Sequence, residues 1–272
     1  MSTSTVKTVG KTEEADALLT REDHEGTVYL TLNRPAQFNA LSEELLTALQ
    51  EELDLIAADE SCRLVILAGA GKAFCAGHDL KQMRSRPSES YYQDLFKQCS
   101  RMMMTLNRMP QPVIARVQGI ATAAGCQLVA ACDLAVASDD SRFATSGIKV
   151  GLFCSTPAVP VSRNLGRKQA MELLLTGDFI DAHTALQWGL VNRVVTASKL
   201  DAEVRSLADS ILAKPAVAVA IGKRMFYRQL EMPMESAYEF AAGVMAGNMM
   251  EADAGEGIDA FMQKRPPAWK DL

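Results

Sequence analysis

Strand patterns and helical patterns alternate along the first half of this sequence, and this alternation restricts the possible folds. Val28, Leu30 and Leu32 alternate with polar residues as in a half-buried strand, and residues 64–67 and 113–117 are short, mainly apolar runs. The segments between these runs have apolar residues at helical spacing. Parallel strands need long crossovers, which are usually helices. The first half therefore predicts an α/β fold with parallel strands joined by helices.

The second half is predominantly helical. Helices are predicted near residues 167–175, 182–188, 200–213, 216–229 and 234–250, with one short strand at 191–195. We therefore expect a flexible lead-in over residues 1–26, an α/β core over 27–200 and a helical region over 201–272. The helices of the last region carry faces rich in alanine and methionine that need a covering surface. That surface is either the chain's own core or a neighbouring subunit.

Composition excludes several classes of protein. The net charge is −5, from 28 basic and 33 acidic residues, so a nucleic-acid-binding protein is not expected. No apolar run reaches the roughly 18–20 residues of a membrane helix. The six cysteines form no CxxC pair and there are only three histidines, which predicts reduced core thiols and no metal site. Residues 1–26 resemble neither a signal nor a transit peptide, so the predicted location is cytoplasmic.

Two loops rich in small residues are the candidate functional segments. One spans residues 72–81 and the other spans residues 119–128; each follows a predicted strand. The glycines around Gly71 do not have the spacing of a Walker or dinucleotide-binding loop. Small residues allow a ligand to approach closely, and a helix start leaves amide N–H groups unpaired. The two loops could thus direct amides at one oxygen atom, or they could only permit tight helix–strand packing.

Several motifs resemble those of the enoyl-CoA hydratase/isomerase (crotonase) superfamily. They cover nearly the whole chain from residue 27, in the same order and spacing, and comprise residues 32–42, 74–79, 119–126, 174–177, 189–192 and 261–265. Residues 121–127 and 150–157 are similar to one particular branch of that superfamily. The resemblance implies a crotonase-like spiral of ββα turns with a helical C-terminal trimerisation region. It also implies a homotrimer or a dimer of trimers.

The resemblance further implies an acyl-CoA ligand, with coenzyme A as part of the substrate, no tightly bound cofactor and a role in fatty acid metabolism. In this superfamily the backbone N–H groups matching His78 and Ala124 hold the thioester oxygen. Residues expected along the ligand are Arg34, Gln37, Phe38, Ala40, Ala76, Asp79 and Leu80. Residues expected at its phosphates are Lys81, Lys264 and Arg265.

The sequence departs from its relatives at the catalytic positions. The hydratases use two glutamates as general acid and base, and the matching positions hold Gln127 and Gly147. A third position, where some isomerases and a dehalogenase place an aspartate, holds Ser155. General acid–base catalysis contributes about 10²–10⁴ per group, so hydration is expected to be weak.

Other groups are considered in place of the glutamates. The imidazole of His78 could titrate near pH 6–7 or could be a packing group. Asp79 is favoured as a helix cap over a proton-transfer group, and Cys126 as a core residue. Cys154 and Ser155 form a possible nucleophile, and the Gln127 amide either bonds the acyl group or a water, or is structural.

The expected function is therefore that of an acyl-CoA-binding enzyme, of lyase or isomerase type, with a backbone oxyanion hole. The alternatives are an acyl-CoA isomerase or thioesterase, and a non-catalytic acyl-CoA-binding oligomer. Neither nucleic acid nor a membrane is expected as a partner.

Overall fold

A computed structural model describes residues 17–270 of the chain. The strands are β1 (Leu19–His24), β2 (Thr27–Leu32), β3 (Leu64–Gly69), β4 (Ala73–Cys75), β5 (Val113–Val117), β6 (Ile120–Thr122), β7 (Leu134–Ser138), β8 (Arg142–Ala144), β9 (Ile180–Asp181) and β10 (Arg193–Val195). The helices are α1 (Glu43–Ala57), α2 (Leu80–Ser85), α3 (Glu89–Arg108), α4 (Ala124–Ala131), α5 (Ser155–Asn164), α6 (Arg167–Thr176), α7 (Ala182–Trp188), α8 (Leu200–Leu212), α9 (Ala216–Gln229), α10 (Met234–Asn248) and α11 (Ala252–Gln263).

The larger sheet has six strands in the order β1-β2-β3-β5-β7-β10. From β2 to β10 all neighbours are parallel, as the strand–helix alternation predicts. β1 is antiparallel to β2, with Leu19 opposite Leu32. The predicted flexible lead-in is therefore wrong over residues 19–24, which form an edge strand, while residues 1–16 of that prediction lie outside the described residues.

The smaller sheet has four short strands in the order β4-β6-β8-β9. β4, β6 and β8 follow β3, β5 and β7 respectively, so each turn of the chain places one strand in the larger sheet and the next in the smaller. The predicted spiral of ββα turns is thereby confirmed. The sequence pattern alone did not reveal these strands, because three residues are too few to establish a period.

The core lies on both faces of the larger sheet. One face is covered by α1, α3 and α4, with leucines such as Leu45, Leu49 and Leu53 of α1 fully buried. α1 begins where the Ser42 side chain accepts a hydrogen bond from the N–H of Leu45, one of the first amides of the helix, which have no partner one turn earlier. The other face is covered by α8. The predicted boundary at residue 200 thus falls at the first residue of a helix that packs on the sheet.

A buried ion pair attaches α9 to the core. Lys223 Nζ lies 2.6 Å from Asp133 Oδ2 and also donates to the carbonyls of Leu106 and Gln111. The Tyr227 hydroxyl donates to the other Asp133 oxygen at 2.9 Å. Of the two surfaces considered for the C-terminal helices, α9 therefore uses the chain's own core.

Large apolar side chains remain exposed on α10 and α11. On these helices Phe261 is 85% exposed and Met234 is 75% exposed, and Met250, between them, is 85% exposed. Within residues 17–270 no helix is long and apolar enough to cross a membrane.

Candidate active site

The structure brings the two loops rich in small residues into contact. A Cβ on Gly77 would lie 2.9 Å from the Ala123 Cβ and 3.2 Å from the Ala124 nitrogen, and Gly77 has φ +93°. A Cβ on Gly125 would lie only 2.0 Å from the Cys75 carbonyl oxygen. Glycine is therefore required at both positions, since any larger residue would push the loops apart.

The backbone on either side of His78 is fixed by Leu41. The Leu41 N–H donates to the Gly77 carbonyl at 2.8 Å, and the Asp79 N–H donates to the Leu41 carbonyl at 3.1 Å. The His78 N–H between them donates to no group within residues 17–270. Its hydrogen-bonding capacity is thus free while its position is held on both sides.

The second free amide is at the start of α4. Ala124 is the first helical residue, where an N–H has no partner one turn earlier, and it donates to no group of the described chain. Ala123 before it has φ 51° and ψ −119°, a conformation that alanine rarely adopts, and its N–H donates to the Ala144 carbonyl at 3.0 Å. Strained backbone of this kind is concentrated at functional sites.

The His78 ring is buried. Both ring nitrogens are shielded from solvent and have no hydrogen-bond partner among residues 17–270, and the ring meets the edge of Phe96 at 5.6 Å between centroids. Burial lowers the pKa of the imidazole to about 4, because the charged form is poorly solvated there. Of the two roles considered for His78, the structure thus favours the packing group over titration near pH 6–7, and the side chain is neutral at neutral pH.

Gln127 lies on the first turn of α4, three residues after Ala124. Its side chain is 3% exposed, and its Oε1 atom has no partner in the described part of the chain. Its own N–H donates to the Ala123 carbonyl at 3.0 Å, which fixes the residue in the helix.

Gly147 lies in a 3-10 turn over Ser146–Val150. A Cβ at this position would be 2.7 Å from the Leu152 carbonyl oxygen and 2.8 Å from the Cys154 sulfur. The segment after the turn thus occupies the space that any side chain at residue 147 would need.

Cys154 and Ser155 do not form an activated nucleophile. Burial raises the pKa of the Cys154 thiol, so the thiol stays protonated. The exposed Ser155 hydroxyl donates only to the Phe153 carbonyl, at 3.4 Å, and has no base as a partner within residues 17–270. Cys126 is fully buried and its thiol has a pKa raised to about 12, in keeping with a core residue.

Asp79 caps α2. Its carboxylate accepts from the N–H groups of Lys81 and Gln82 and lies 3.0 Å from a guanidinium nitrogen of Arg34. Burial would raise the pKa of Asp79, but the hydrogen bonds from Arg34 and the helix amides outweigh it and hold the pKa below its usual value. Arg34 also donates to the Ala40 carbonyl, so both charged groups support the loop structure.

The other residues expected along the ligand lie around this loop. The Ala76 N–H donates to the Phe38 carbonyl at 3.0 Å, which ties the 35–40 segment to the 72–81 loop. Phe38 and Leu80 are 54% and 53% exposed, and Gln37 is exposed as well. Apolar side chains exposed next to a loop with free amides are available for contact with a ligand.

Asn39 is a site residue whose role the sequence analysis missed. It is fully buried, and its Nδ2 atom donates to the carbonyls of Ala70, Ala73 and Phe74 at 2.9, 2.8 and 3.1 Å. Its Oδ1 atom accepts from the Arg34 N–H at 2.9 Å. Its place in the motif 32–42 was a signal for it, although nothing in the pattern specified the carbonyls that it holds.

The three residues expected at the phosphates are exposed and lie in two regions of the fold. Lys81 is in the first turn of α2, whereas Lys264 and Arg265 follow α11. Arg265 forms two hydrogen bonds with the Glu256 carboxylate, at 2.6 and 2.9 Å. Within the described chain there is no group of three or more potential metal ligands.

A profile of the enoyl-CoA hydratase/isomerase family matches residues 22–272. The chain belongs to this family. Relatives from Thermus thermophilus and Mycobacterium tuberculosis are named as enoyl-CoA hydratases. The family is therefore a family of enzymes.

Individual relatives confirm the predicted branch, that of enoyl-CoA hydratase domain-containing protein 3. The chain is 42% identical to the mitochondrial protein of that name from Mus musculus, over 94% of this chain and 86% of the relative. The crystal structure of the human protein of this name is 41% identical and covers 93% of this chain and 100% of that one, with a TM-score of 0.90. An enoyl-CoA hydratase structure from Mycobacterium smegmatis is 58% identical, with coverages of 93% and 99% and a TM-score of 0.92.

These comparisons confirm the crotonase-like fold class and correct the predicted location. The mouse and human relatives are both named as mitochondrial proteins. The cytoplasmic location expected from residues 1–26 is contradicted by these names, and that prediction is wrong.

Proposed function

We propose that this chain binds acyl-CoA thioesters with the thioester oxygen between the N–H groups of His78 and Ala124. The observation that supports this is the contact between the two loops, which holds both free amides on fixed backbone. A thioester that moves toward its enolate gains negative charge on that oxygen. Two preorganised donors stabilise the charge, and loss of one such donor typically costs about 10²–10³ in rate.

We further propose that this site hydrates enoyl-CoA thioesters slowly. The Gln127 amide does not exchange a proton near neutral pH, and Gly147 has no side chain. His78 cannot replace them as a proton donor, since its imidazole has a pKa lowered to about 4 and is neutral at pH 7. The site keeps the means to polarise a thioester and lacks the usual means to add water to it.

A non-catalytic acyl-CoA-binding oligomer is the second candidate, and it is favoured by the same missing groups. Thioester hydrolysis gains less support, because the Cys154 thiol has a raised pKa and Ser155 lies beside a carbonyl rather than a base. In either candidate the exposed apolar side chains of α10 and α11 are covered in a homotrimer or a dimer of trimers.

The coenzyme A part of the ligand lies along the loop residues in this proposal. Arg34, Gln37, Phe38 and Ala40 on one segment, and Ala76, Asp79 and Leu80 on the other, line it. Lys81 and the pair Lys264 and Arg265 contact its phosphates, and Arg265 exchanges its bonds to Glu256 when it does so.

A pair of ligands that differ only in the thioester carbonyl tests the oxyanion hole directly. Isothermal calorimetry compares butyryl-CoA with its thioether analogue, in which a methylene group replaces the carbonyl. We expect the thioether to bind about tenfold more weakly, because it offers the two amides no acceptor. Equal affinities would contradict the proposed role of His78 and Ala124.

A kinetic assay separates the candidate functions. Loss of the enoyl absorbance of crotonyl-CoA measures hydration, release of free thiol measures hydrolysis, and proton exchange at the α-carbon measures enolate formation. Slow hydration supports the proposal, binding without turnover across a panel of acyl-CoAs supports the non-catalytic candidate, and hydration at the rate of glutamate-bearing relatives contradicts both.

A further inference from the structure

A groove runs between α1 and α3, on the side of α3 that faces solvent. It has a volume of about 910 Å³ and is lined by one face of α3 together with Gln50 and Asp54 of α1. Sites that bind small molecules usually have volumes of about 300–1,000 Å³. The groove is therefore large enough for a small ligand, and the proposed function assigns nothing to it.

Three basic side chains of α3 line this groove and are free to bind an anion. Lys97, Arg101 and Arg108 are exposed, and none of them forms an ion pair within residues 17–270. Lys97 and Arg101 are four residues apart, so their side chains are neighbours on the surface of the helix. Exposed basic residues without an ion pair occur elsewhere, as at Arg205 of α8. What distinguishes these three is that a single concave surface holds them together.

The acidic residue of the lining does not neutralise these cations. Asp54 accepts a hydrogen bond from Gln50 Nε2 at 2.9 Å and forms no ion pair within the described chain. Gln50 Nε2 also donates to the Thr105 hydroxyl at 2.9 Å, which joins α1 to α3 along the groove. The lining thus has three basic side chains and one acidic side chain, and it favours an anionic ligand.

Apolar side chains lie beside the cations in the same groove. Phe96 is half-buried and Met104 is 42% exposed. Met104 follows Arg101 by three residues, so the two side chains share one face of the helix. A phosphate ion or a short carboxylate would contact the cations alone. An aliphatic chain with a carboxylate at its end would contact both kinds of side chain, through burial of its methylene groups and through charge-assisted hydrogen bonds.

Phe96 connects the groove to the candidate active site. Its ring meets the ring of His78, with 5.6 Å between the two centroids. His78 carries one of the two amides that the proposed function assigns to the thioester oxygen. A terminal carboxylate therefore has two sources here, a free fatty acid and the far end of an acyl chain whose thioester occupies the site.

We infer that the groove between α1 and α3 is a binding site for an aliphatic chain that ends in a carboxylate. The carboxylate lies between Lys97 and Arg101, and the chain packs against Phe96 and Met104. When the ligand is a free fatty acid, this inference is independent of the proposed function. When the carboxylate ends an acyl chain, the inference rests on the proposed function and names its substrate class, the CoA thioesters of dicarboxylic acids.

Two pairs of ligands test the inference and separate the two sources. Calorimetry on the full chain compares decanoate with decanol below the concentrations at which they form micelles, and decanedioyl-CoA with decanoyl-CoA. In at least one pair we expect the ligand with the free carboxylate to bind about tenfold more tightly than its uncharged partner, the effect of one hydrogen-bonded charge. Added salt should reduce that preference, because the cations are exposed. A preference in the first pair identifies a free fatty acid, and one in the second pair identifies the acyl chain.

A matched pair of variants locates the carboxylate. Arg101→Gln should abolish the preference, since it removes one of the two cations assigned to the carboxylate. Arg205→Gln is the control, because Arg205 is also exposed and without an ion pair but lies on α8, which covers the opposite face of the larger sheet. This variant should keep the preference. Circular dichroism and urea unfolding establish that both variants are folded.

The outcomes that overturn the inference are distinct from those that overturn the proposed function. Equal affinities within both pairs overturn the inference, and that result needs no variant. A preference that persists in Arg101→Gln, or that is lost equally in Arg205→Gln, overturns it as well. Failure of every CoA thioester to bind overturns the proposed function, and decanoate and decanol then decide the inference alone.

Discussion

Gly77 and Ala123 approach each other so closely that a methyl group on Gly77 would lie 2.9 Å from the Ala123 Cβ. This contact joins the loop that carries the His78 amide to the start of the helix that carries the Ala124 amide. The close approach of the two loops that carry the amides therefore requires glycine at residue 77.

Gly77→Ala should weaken thioester binding through this contact. Gly151→Ala is the matched control, because Gly151 also has a positive φ, +82°, but a Cβ there would meet nothing within 4 Å. Both variants should lose about 1 kcal/mol of stability from the strained backbone. Only Gly77→Ala should also lower the affinity for butyryl-CoA, by about tenfold or more in calorimetry. Equal losses of affinity in the two variants would contradict this explanation.

Asn39→Ala should destabilise the chain by about 2–4 kcal/mol. The substitution leaves three carbonyls and the Arg34 N–H without their buried partner. Urea unfolding measures the change. Asn107→Ala serves for comparison, since Asn107 donates a single bond to the Ala131 carbonyl, and it should cost about 1 kcal/mol. A larger effect at Asn107 than at Asn39 would show that the network is not important for the loop.

Gln127→Glu should raise the hydration of crotonyl-CoA. The introduced carboxyl supplies one general acid–base group, worth about 10²-fold at the low end of the usual range. Gly147→Glu should give no gain, since its Cβ would meet the Leu152 carbonyl oxygen at 2.7 Å. Enoyl absorbance measures both rates. A gain from Gly147→Glu alone would mean that the turn yields more easily than its packing indicates.

Acid should destabilise the chain partly through His78. The imidazole has a pKa of about 4 when folded and its ordinary value of 6.5 when unfolded, so the unfolded state binds more protons between these values. Stability is therefore unaffected above about pH 6.5 and falls by up to about 3 kcal/mol as the pH drops to 4. His78→Gln should flatten this part of the pH profile in urea unfolding. His183→Gln, at an exposed position, is the comparison variant.

Lys223→Met should destabilise the attachment of α9 strongly. It removes three hydrogen bonds, one to Asp133 and one each to the carbonyls of Leu106 and Gln111. Breaking a buried ion pair costs about 3–5 kcal/mol. Arg163→Met breaks the exposed pair with Glu231 and should cost less than 1 kcal/mol. Hydrogen exchange should show faster opening of α9 in the first variant only. Equal protection of α9 in both variants would contradict its anchoring by Lys223.

The sequence predicted the larger sheet and most helices because their periods are long enough to detect. Residues 113–117 and 216–229 are predicted with the bounds that the structure has. The strand Leu19–His24 was missed because its polar composition resembles a loop, and its hairpin with β2 is what makes it a strand. The helices α5 and α11 were missed as well, whereas α2, only six residues long, was expected through its cap at Asp79.

The candidate site was predictable in its backbone and not in its side chains. The two loops and the cap formed by Asp79 follow from residue types and spacing, whereas the assignment of Gln127 and Gly147 to the glutamate positions rests on the family resemblance. The pKa of His78, the carbonyls held by Asn39 and the crowding at Gly147 depend on neighbours distant in sequence, such as Phe96 and Leu152. The residue pattern of a single chain does not show which distant residues become neighbours in the fold.

The crowded turn at Gly147 limits which substitutions could introduce acidic groups into this site. A single replacement at residue 127 would introduce one acidic group. The second is obstructed by main chain, because the Leu152 carbonyl stands where the new side chain would begin. Residues 152–154 would have to be displaced beforehand, a change with no catalytic benefit by itself. The route of the backbone thus obstructs a second acidic side chain at residue 147, and a site with both acids requires movement of this segment as well as the two replacements.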